Sequence, residues 1–260
     1  MVNPVIVTAL FDIERDKWDN YEQSYHTYIE WMKNLLSLNS KIVIYTEEKF
    51  SSQIIKIRKK YDKNLENTLL VLKKFEELDF YKTYYEPIKK LMESDEFKSK
   101  IHWQVPEMTK PKYNILIYNK ISFIEESFNN SSLGGDFYVW LDAGISRDKK
   151  YNEIVFPKPE KIINEYNNKI TFFSLKEQFE LPTPQEHLLH QYRNIQGGCF
   201  FVPSLEAILR FKLKFEENLY YYYQEGYVGS EEKYYDLCYL DNPSNYNLIQ
   251  SDWRDYFKFF

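Results

Sequence analysis

Phe137-Tyr-Val-Trp-Leu141, followed at once by Asp142-Ala-Gly144-Ile-Ser-Arg147, is an apolar run of strand length that ends in an acid and a glycine turn. Because the run is continuous rather than alternating, both faces of the strand are expected to be covered, as in a parallel sheet flanked by helices. The segments around it agree. Pro4–Leu10 and Lys41–Thr46 are β-branched apolar runs of the same kind; Lys169–Leu175 and Cys199–Val202 read as further strands, as does Thr68–Lys73, although its Leu69-Leu70-Val71-Leu72 run also suits a helix. Between them, Tyr21, Tyr25, Tyr28, Ile29, Met32, Leu35 and Leu36 fall on one helical face. Ser51 or Ser52 is placed to cap a helix running to about Tyr61. Residues 76–100 are mostly helical with a break or first turn at Pro87, and one amphipathic helix is expected from Pro111 through Ile124. Leu205–Tyr223 reads as a long aromatic-rich helix. Strands alternating with helices predict an α/β fold with a mostly parallel central sheet.

The chain has 260 residues, which suits one large domain or two small ones, and no internal repeat or low-complexity linker divides it. We therefore read a single domain, less regular from about residue 145 onward. Its hydrophobic content of 43% supports a sizeable core. A net charge of -5 offers no general attraction for nucleic acid. Two cysteines, Cys199 and Cys238, cannot build a disulfide framework and suit a reducing compartment. The first residues lack the basic region of a signal peptide, and no apolar stretch is long enough for an integral membrane segment, so a cytoplasmic protein is expected. The high aromatic content, 18%, is explained by AT-rich codon usage.

Ligands of open α/β sheets bind outside the carboxyl ends of the strands. That rule selects Thr8–Arg15, Thr46–Glu48, Asp142–Arg147 and the surroundings of Gly197. Asp142 at a strand exit suits a divalent metal or a ribose hydroxyl, or else it caps the turn before Gly144. Arg15 is either a phosphate clamp or a solvated charge, and the default for Lys120 is a surface lysine. Gly197-Gly198 permits close backbone approach by a ligand, or a bulge. Cys199 reads as a small buried hydrophobe. Glu231-Glu232 opens a helix after Gly229, where two acids either complement the helix dipole or supply a general base. Adjacent helical residues diverge by about 100°. One of the pair is therefore expected to face the site and the other to be solvated, with Glu232 favoured as the base. His187 and His190 are three apart, but no third zinc ligand lies nearby in sequence. Walker, dinucleotide-fingerprint, nucleophile-elbow and kinase signatures are absent from the sequence.

Taken together, Val7-Thr8-Ala9-Leu10-Phe11-Asp12-Ile13 with Arg15 and Trp18, Ile44-Tyr45-Thr46, Tyr113-Asn114 with Lys120, Val139–Ile145 with Arg147, Gly197-Gly198 with Phe200, and Glu231-Glu232 resemble the HtrL/YibB family of glycosyltransferase-like proteins. The resemblance implies a single Rossmann-like GT-A domain over 1–260, with a nucleotide-sugar-binding half (1–145) and an acceptor-side half (146–260). It implies a glycosyltransferase of the hexosyltransferase type, moving sugar from a UDP-sugar to a saccharide or protein hydroxyl. It places Thr8, Phe11, Asp12, Arg15, Thr46, Asn114, Lys120, Asp142, Ala143 and Gly144 at the donor, Gly197 and Gly198 on the acceptor side, and Glu231 or Glu232 at the catalytic carboxylate. A Mn²⁺ or Mg²⁺ ion at Asp142 is also implied. The family of folds normally carries Asp-x-Asp at this exit; here Asp142-Ala143-Gly144 lacks the second carboxylate, which puts metal coordination in question. Two rival readings are a non-catalytic carbohydrate-binding or scaffold protein on the same fold, and a nucleotide-sugar hydrolase or nucleotidyltransferase.

Overall fold

Seven strands form one sheet, seen in a computed structural model that describes residues 4–19, 22–130, 132–147, 168–190 and 193–251. They are β1 (Pro4–Leu10), β2 (Lys41–Thr46), β3 (Thr68–Leu72), β4 (Phe137–Leu141), β5 (Ile170–Ser174), β6 (Ile195–Val202) and β7 (Tyr246–Gln250), in the order β3-β2-β1-β4-β6-β5-β7. Only β6 runs against the others. The α/β, mostly parallel sheet expected from the sequence is present. The order 3-2-1-4 is that of a doubly wound sheet, and the strand order reverses between the parallel neighbours β1 and β4.

Alternation along each strand divides the core into two faces. Val5, Val7, Val43, Tyr45, Tyr138, Trp140, Phe172 and Phe200 pack on one side, and Ile6, Leu10, Ile42, Ile44, Val139, Leu141 and Phe201 on the other. The second face is covered by α1 (Tyr25–Leu36) and α2 (Glu48–Arg58). The first is covered by α3 (Asp79–Glu93), α6 (Pro111–Tyr118), α7 (Lys120–Asn129), α9 (Leu205–Gln224) and α10 (Glu231–Asp241). Among the described residues there are also three short helices: α4 (Asp95–Lys100), α5 (Pro106–Thr109) and α8 (Pro184–Leu189). Among the described residues, no helix is long and apolar enough to cross a membrane.

Several boundaries differ from the sequence reading, each for a local reason. The first helix starts at Tyr25 because Ser24 accepts the Thr27 N–H and caps it; Tyr21 lies outside the described residues. Ser51 is inside α2, its hydroxyl donating back to the Glu48 carbonyl at 2.7 Å, rather than capping it. Pro87 sits within α3, which ends instead at Ser94, the cap of α4. The single helix expected through Ile124 is broken at Asn119, whose side-chain amide donates to the Ile115 carbonyl at 2.7 Å. That break restarts the chain as α7 with Lys120 as its first residue, turned into the core. β6 begins at Ile195, four residues before the expected start, because the Asp236 carboxylate accepts the backbone N–H groups of Asn194 (3.1 Å) and Ile195 (2.8 Å).

Candidate active site

A pocket of about 260 Å³ opens at the carboxyl ends of β1 and β4. β1 leads into Phe11, Ile13 and Arg15, and β4 into Asp142, Ala143, Gly144, Ile145 and Arg147. Because β6 is antiparallel, its first residues, Gln196 and Gly198, arrive at the same end, and the Asp142 N–H is tied to the Gly198 carbonyl at 3.0 Å. Helix α1 contributes Tyr25 and Tyr28, α6 contributes Tyr113, Leu116 and Ile117, and the start of α10 contributes Glu231 and Glu232.

Lys120 organises the floor. Its ammonium lies 2.9 Å from Asp142 Oδ1, 2.7 Å from Glu231 Oε1 and 3.0 Å from the Gly197 carbonyl, and only 5% of the side chain is exposed. Burial opposes its charge, but the carboxylates of Asp142 and Glu231 outweigh burial and hold the ammonium pKa above its usual value. The expected surface lysine is therefore a buried cation with all three N–H groups engaged. Trp140 Nε1 also donates to Asp142 Oδ1, at 2.7 Å. Asp142 is thus anchored through one oxygen, beyond any role in the turn.

Both glutamates are buried, against the expectation that one would be solvated. The two directions that separate them lead to two buried partners rather than to one partner and water. Glu231 reaches Lys120, while Glu232 accepts the Gly197 N–H at 2.9 Å and Arg193 Nη1 at 2.8 Å. Burial pushes both carboxyls up; Lys120 opposes the shift at Glu231, and Arg193 opposes it at Glu232. Neither side chain caps α10. Both Glu232 oxygens are occupied, whereas among the described residues only Oε1 of Glu231 is hydrogen bonded. Arg193 carries no sequence signal: it is an exposed-type residue in a loop, and only the arrival of Glu232 from α10 recruits it.

Of the donor positions expected from the sequence, Phe11, Arg15, Lys120, Asp142, Ala143 and Gly144 line this pocket. Thr8, Asp12, Thr46 and Asn114 do not. Thr8 is buried within β1, and the Thr46 hydroxyl donates to the Leu10 carbonyl at 2.8 Å. Asn114 is buried, its amide donating to the Glu107 carbonyl at 2.9 Å and the Gly229 carbonyl at 3.3 Å. Asp12 turns outward to pair with Lys49. Gly198 lines the pocket, while Gly197 lies beneath the glutamates. His187 is buried 3.1 Å from Asp236, and no metal-binding group of three or more His, Cys, Asp or Glu side chains occurs among the described residues.

The divalent ion implied at Asp142 meets a poor donor set. Mg²⁺ prefers near-octahedral oxygen coordination. Asp142 Oδ1 already receives two N–H groups, one from an ammonium, and the nearest acid is bridged to that same ammonium. Among the described residues, these groups do not form a divalent-metal cradle.

Fold and site together define a single α/β domain with an acid-and-base-lined pocket at the switch point of its sheet. The chain belongs to the HtrL_YibB family, described as a bacterial protein of unknown function, whose model matches residues 3–260. No curated protein matches it. Among solved structures it is similar to mouse xyloside xylosyltransferase 1 in its apo form, with 10% identity, TM-score 0.49, and coverage of 95% of this chain and 85% of that one. It is also similar to a 4-diphosphocytidyl-2C-methyl-D-erythritol synthase from Anaerococcus prevotii, with 11% identity, TM-score 0.41, and coverage of 97% and 88%.

Proposed function

We propose that the protein is a glycosyltransferase that moves a sugar from a UDP-sugar to a saccharide or protein hydroxyl. The observation that carries this reading is Glu231: a buried carboxylate at the sheet's switch point, held through Oε1 by Lys120 and, among the described residues, not hydrogen bonded at Oε2. Such a group accepts a proton when a hydroxyl is activated. In the reaction, the acceptor O–H proton passes to Glu231 Oε2 and the acceptor oxygen bonds to the sugar's anomeric carbon. The bond from that carbon to the diphosphate oxygen breaks, and the electron pair leaves with UDP. Lys120 holds Glu231 and Asp142 in place, and the outward oxygen of Asp142 is suited to accept a hydroxyl of the bound donor. Two free, buried cysteines fit a cytoplasmic setting.

Replacing the base tests the reading. Glu231→Gln should cut transfer roughly 10²–10⁴-fold, the usual contribution of general-base catalysis, while leaving UDP affinity unchanged. Glu232→Gln should cost less, because its carboxylate serves Arg193 and Gly197. Transfer at near wild-type rates in Glu231→Gln rejects the base assignment, and donor cleavage that ignores added acceptor identifies a hydrolase instead.

A further inference from the structure

Arg193 lines the pocket, and a single side chain holds it there. Its Nη1 donates to Glu232 Oε2 at 2.8 Å, and Glu232 is itself fixed through Oε1 by the Gly197 N–H at 2.9 Å. Only 9% of the Glu232 side chain is exposed, against 43% of Arg193. Among the described residues, no other group hydrogen bonds to the Arg193 guanidinium. Its Nε and Nη2 hydrogens therefore remain for a ligand, and they are the parallel pair with which arginine makes bidentate contacts. Glu231 and Glu232 are consecutive on the first turn of α10, so these donors stand beside the carboxylate that takes the acceptor proton in the mechanism above.

Charge on this side of the pocket narrows the ligand. Glu107, Asp142, Glu231 and Glu232 line it with two cations, Lys120 and Arg193, both already bonded to carboxylates. Arg15 and Arg147 also line the pocket, but their guanidinium groups lie against the Tyr28 and Trp31 rings of α1. A further anion at Arg193 would meet an excess of negative charge, whereas the hydroxyls of a neutral sugar accept hydrogen bonds without that repulsion. Tyr113 adds a donor on the same side, its ring set edge to face on Trp18 at 5.9 Å. Burial, and then the carboxylates of Glu231, Glu107, Glu232 and Asp142, push its phenol well above the usual value, so it keeps its proton.

We propose that Arg193 selects the acceptor, and that the acceptor is an uncharged saccharide whose two adjacent hydroxyls take the Nε and Nη2 hydrogens. The proposal rests on the glycosyltransferase reading for the role of the bound sugar. Adjacent ring hydroxyls match a fork of two parallel donors, while a lone serine or threonine hydroxyl fills only one of them. Glu232 keeps the fork in place, which is where both of its oxygens are spent.

Calorimetric titration of the full chain, with and without UDP, tests the assignment. The probes are methyl glucopyranoside, galactopyranoside and mannopyranoside, their monodeoxy derivatives, the uronic-acid counterpart of each, and a serine-containing peptide. At least one methyl hexoside should bind, and its uronic-acid counterpart should bind more weakly. For that hexoside, removing either member of one adjacent hydroxyl pair should weaken binding about tenfold, the scale of one lost hydrogen bond to a charged group. Arg193→Lys keeps a cation for Glu232 without the fork. It should weaken the parent hexoside about tenfold, bind the parent and those two deoxy sugars alike, and hold UDP within about twofold. Arg193→Ala should lose at least as much, and Arg193→Lys decides the matter if the alanine variant fails to fold. A uronic acid that binds more tightly than its neutral hexoside overturns the proposal, as does an Arg193→Lys variant that still distinguishes the deoxy sugars. UDP binding with no hexoside bound, or with the peptide bound instead, also overturns it and leaves the UDP-sugar donor standing. Arg193-dependent hexoside binding in a protein that does not bind UDP keeps the saccharide site and overturns that donor. No binding of any probe overturns both.

Discussion

Lys120 and Glu231 are each almost fully buried; Glu231 is tolerable there because of the ammonium, and Lys120 because of Glu231 and Asp142. Removing one partner of such a pair costs about 3–5 kcal/mol, because the survivor is left charged and desolvated. Lys120→Met should therefore unfold at markedly lower denaturant concentration, and Lys120→Met/Glu231→Gln should recover part of the loss, a coupling read from a double-mutant cycle. The sign of the pH dependence follows from Glu231. Burial already holds its folded pKa above the ordinary 4.5, and loss of the ammonium that opposes the shift raises it further. A carboxyl with a raised folded pKa binds more protons folded than unfolded, so its stability is present at low pH and is lost as pH rises. The deficit of Lys120→Met should grow as pH rises from 4.5 toward neutrality, measured by urea unfolding at several pH values. A deficit that is flat or shrinks with pH would show that Glu231 is not the group left behind.

At the level of elements, the site depends on β6 passing under the first turn of α10. Gly197 is the contact point: an added Cβ would lie 2.5 Å from Glu231 Oε1 and 2.9 Å from Glu232 Cγ. Gly198, one residue along and on the opposite face, would place a Cβ no closer than 3.5 Å to Ile145 and 3.6 Å to Asp142. Gly197→Ala should cost about 1–3 kcal/mol, the usual range for overpacking, and displace both glutamates, so that transfer falls with stability. Gly198→Ala should melt within about 0.5 kcal/mol of wild type, because its contacts are ordinary. Equal melting of the two variants would show that the strand and helix are free to move apart. The break at Asn119 belongs to the same scale: without it, the first residue of α7 would not enter the core.

Across the whole molecule, the pocket draws on residues far apart in sequence, from Phe11 and Arg15 to Arg193 and Glu232. A ligand there ties the β1 exit, the β4 turn and α10 together. UDP at 100 times its Kd should add about 2.7 kcal/mol by mass action. In a chain of this size that corresponds to roughly 5–10 °C in Tm, at about 2–4 °C per kcal/mol. Hydrogen exchange should slow both in residues 11–15 and in 142–147 on UDP addition; protection confined to one of them would show that the pocket does not act as a unit.

Sequence alone determined six of the seven strands, though not β7, and the main covering helices, because a strand buried on both faces must be apolar throughout and a covering helix must repeat its apolar face every three to four residues. It also selected Asp142 and Arg15, since strand exits in an open sheet are where ligands gather, and Glu231-Glu232 as two acids at a helix start. What it could not decide was which side chains turn inward at those exits. Lys120 reads as a surface lysine until the Asn119 break aims it at Asp142 and Glu231. Arg193 is unremarkable until the antiparallel β6 delivers its loop to Glu232. Thr46 and Asn114 sit at plausible positions yet spend their polar atoms on nearby carbonyls. The partner of a buried charge is set by contacts between residues as much as 111 positions apart, as for Lys120 and Glu231, and no local pattern encodes a contact of that range.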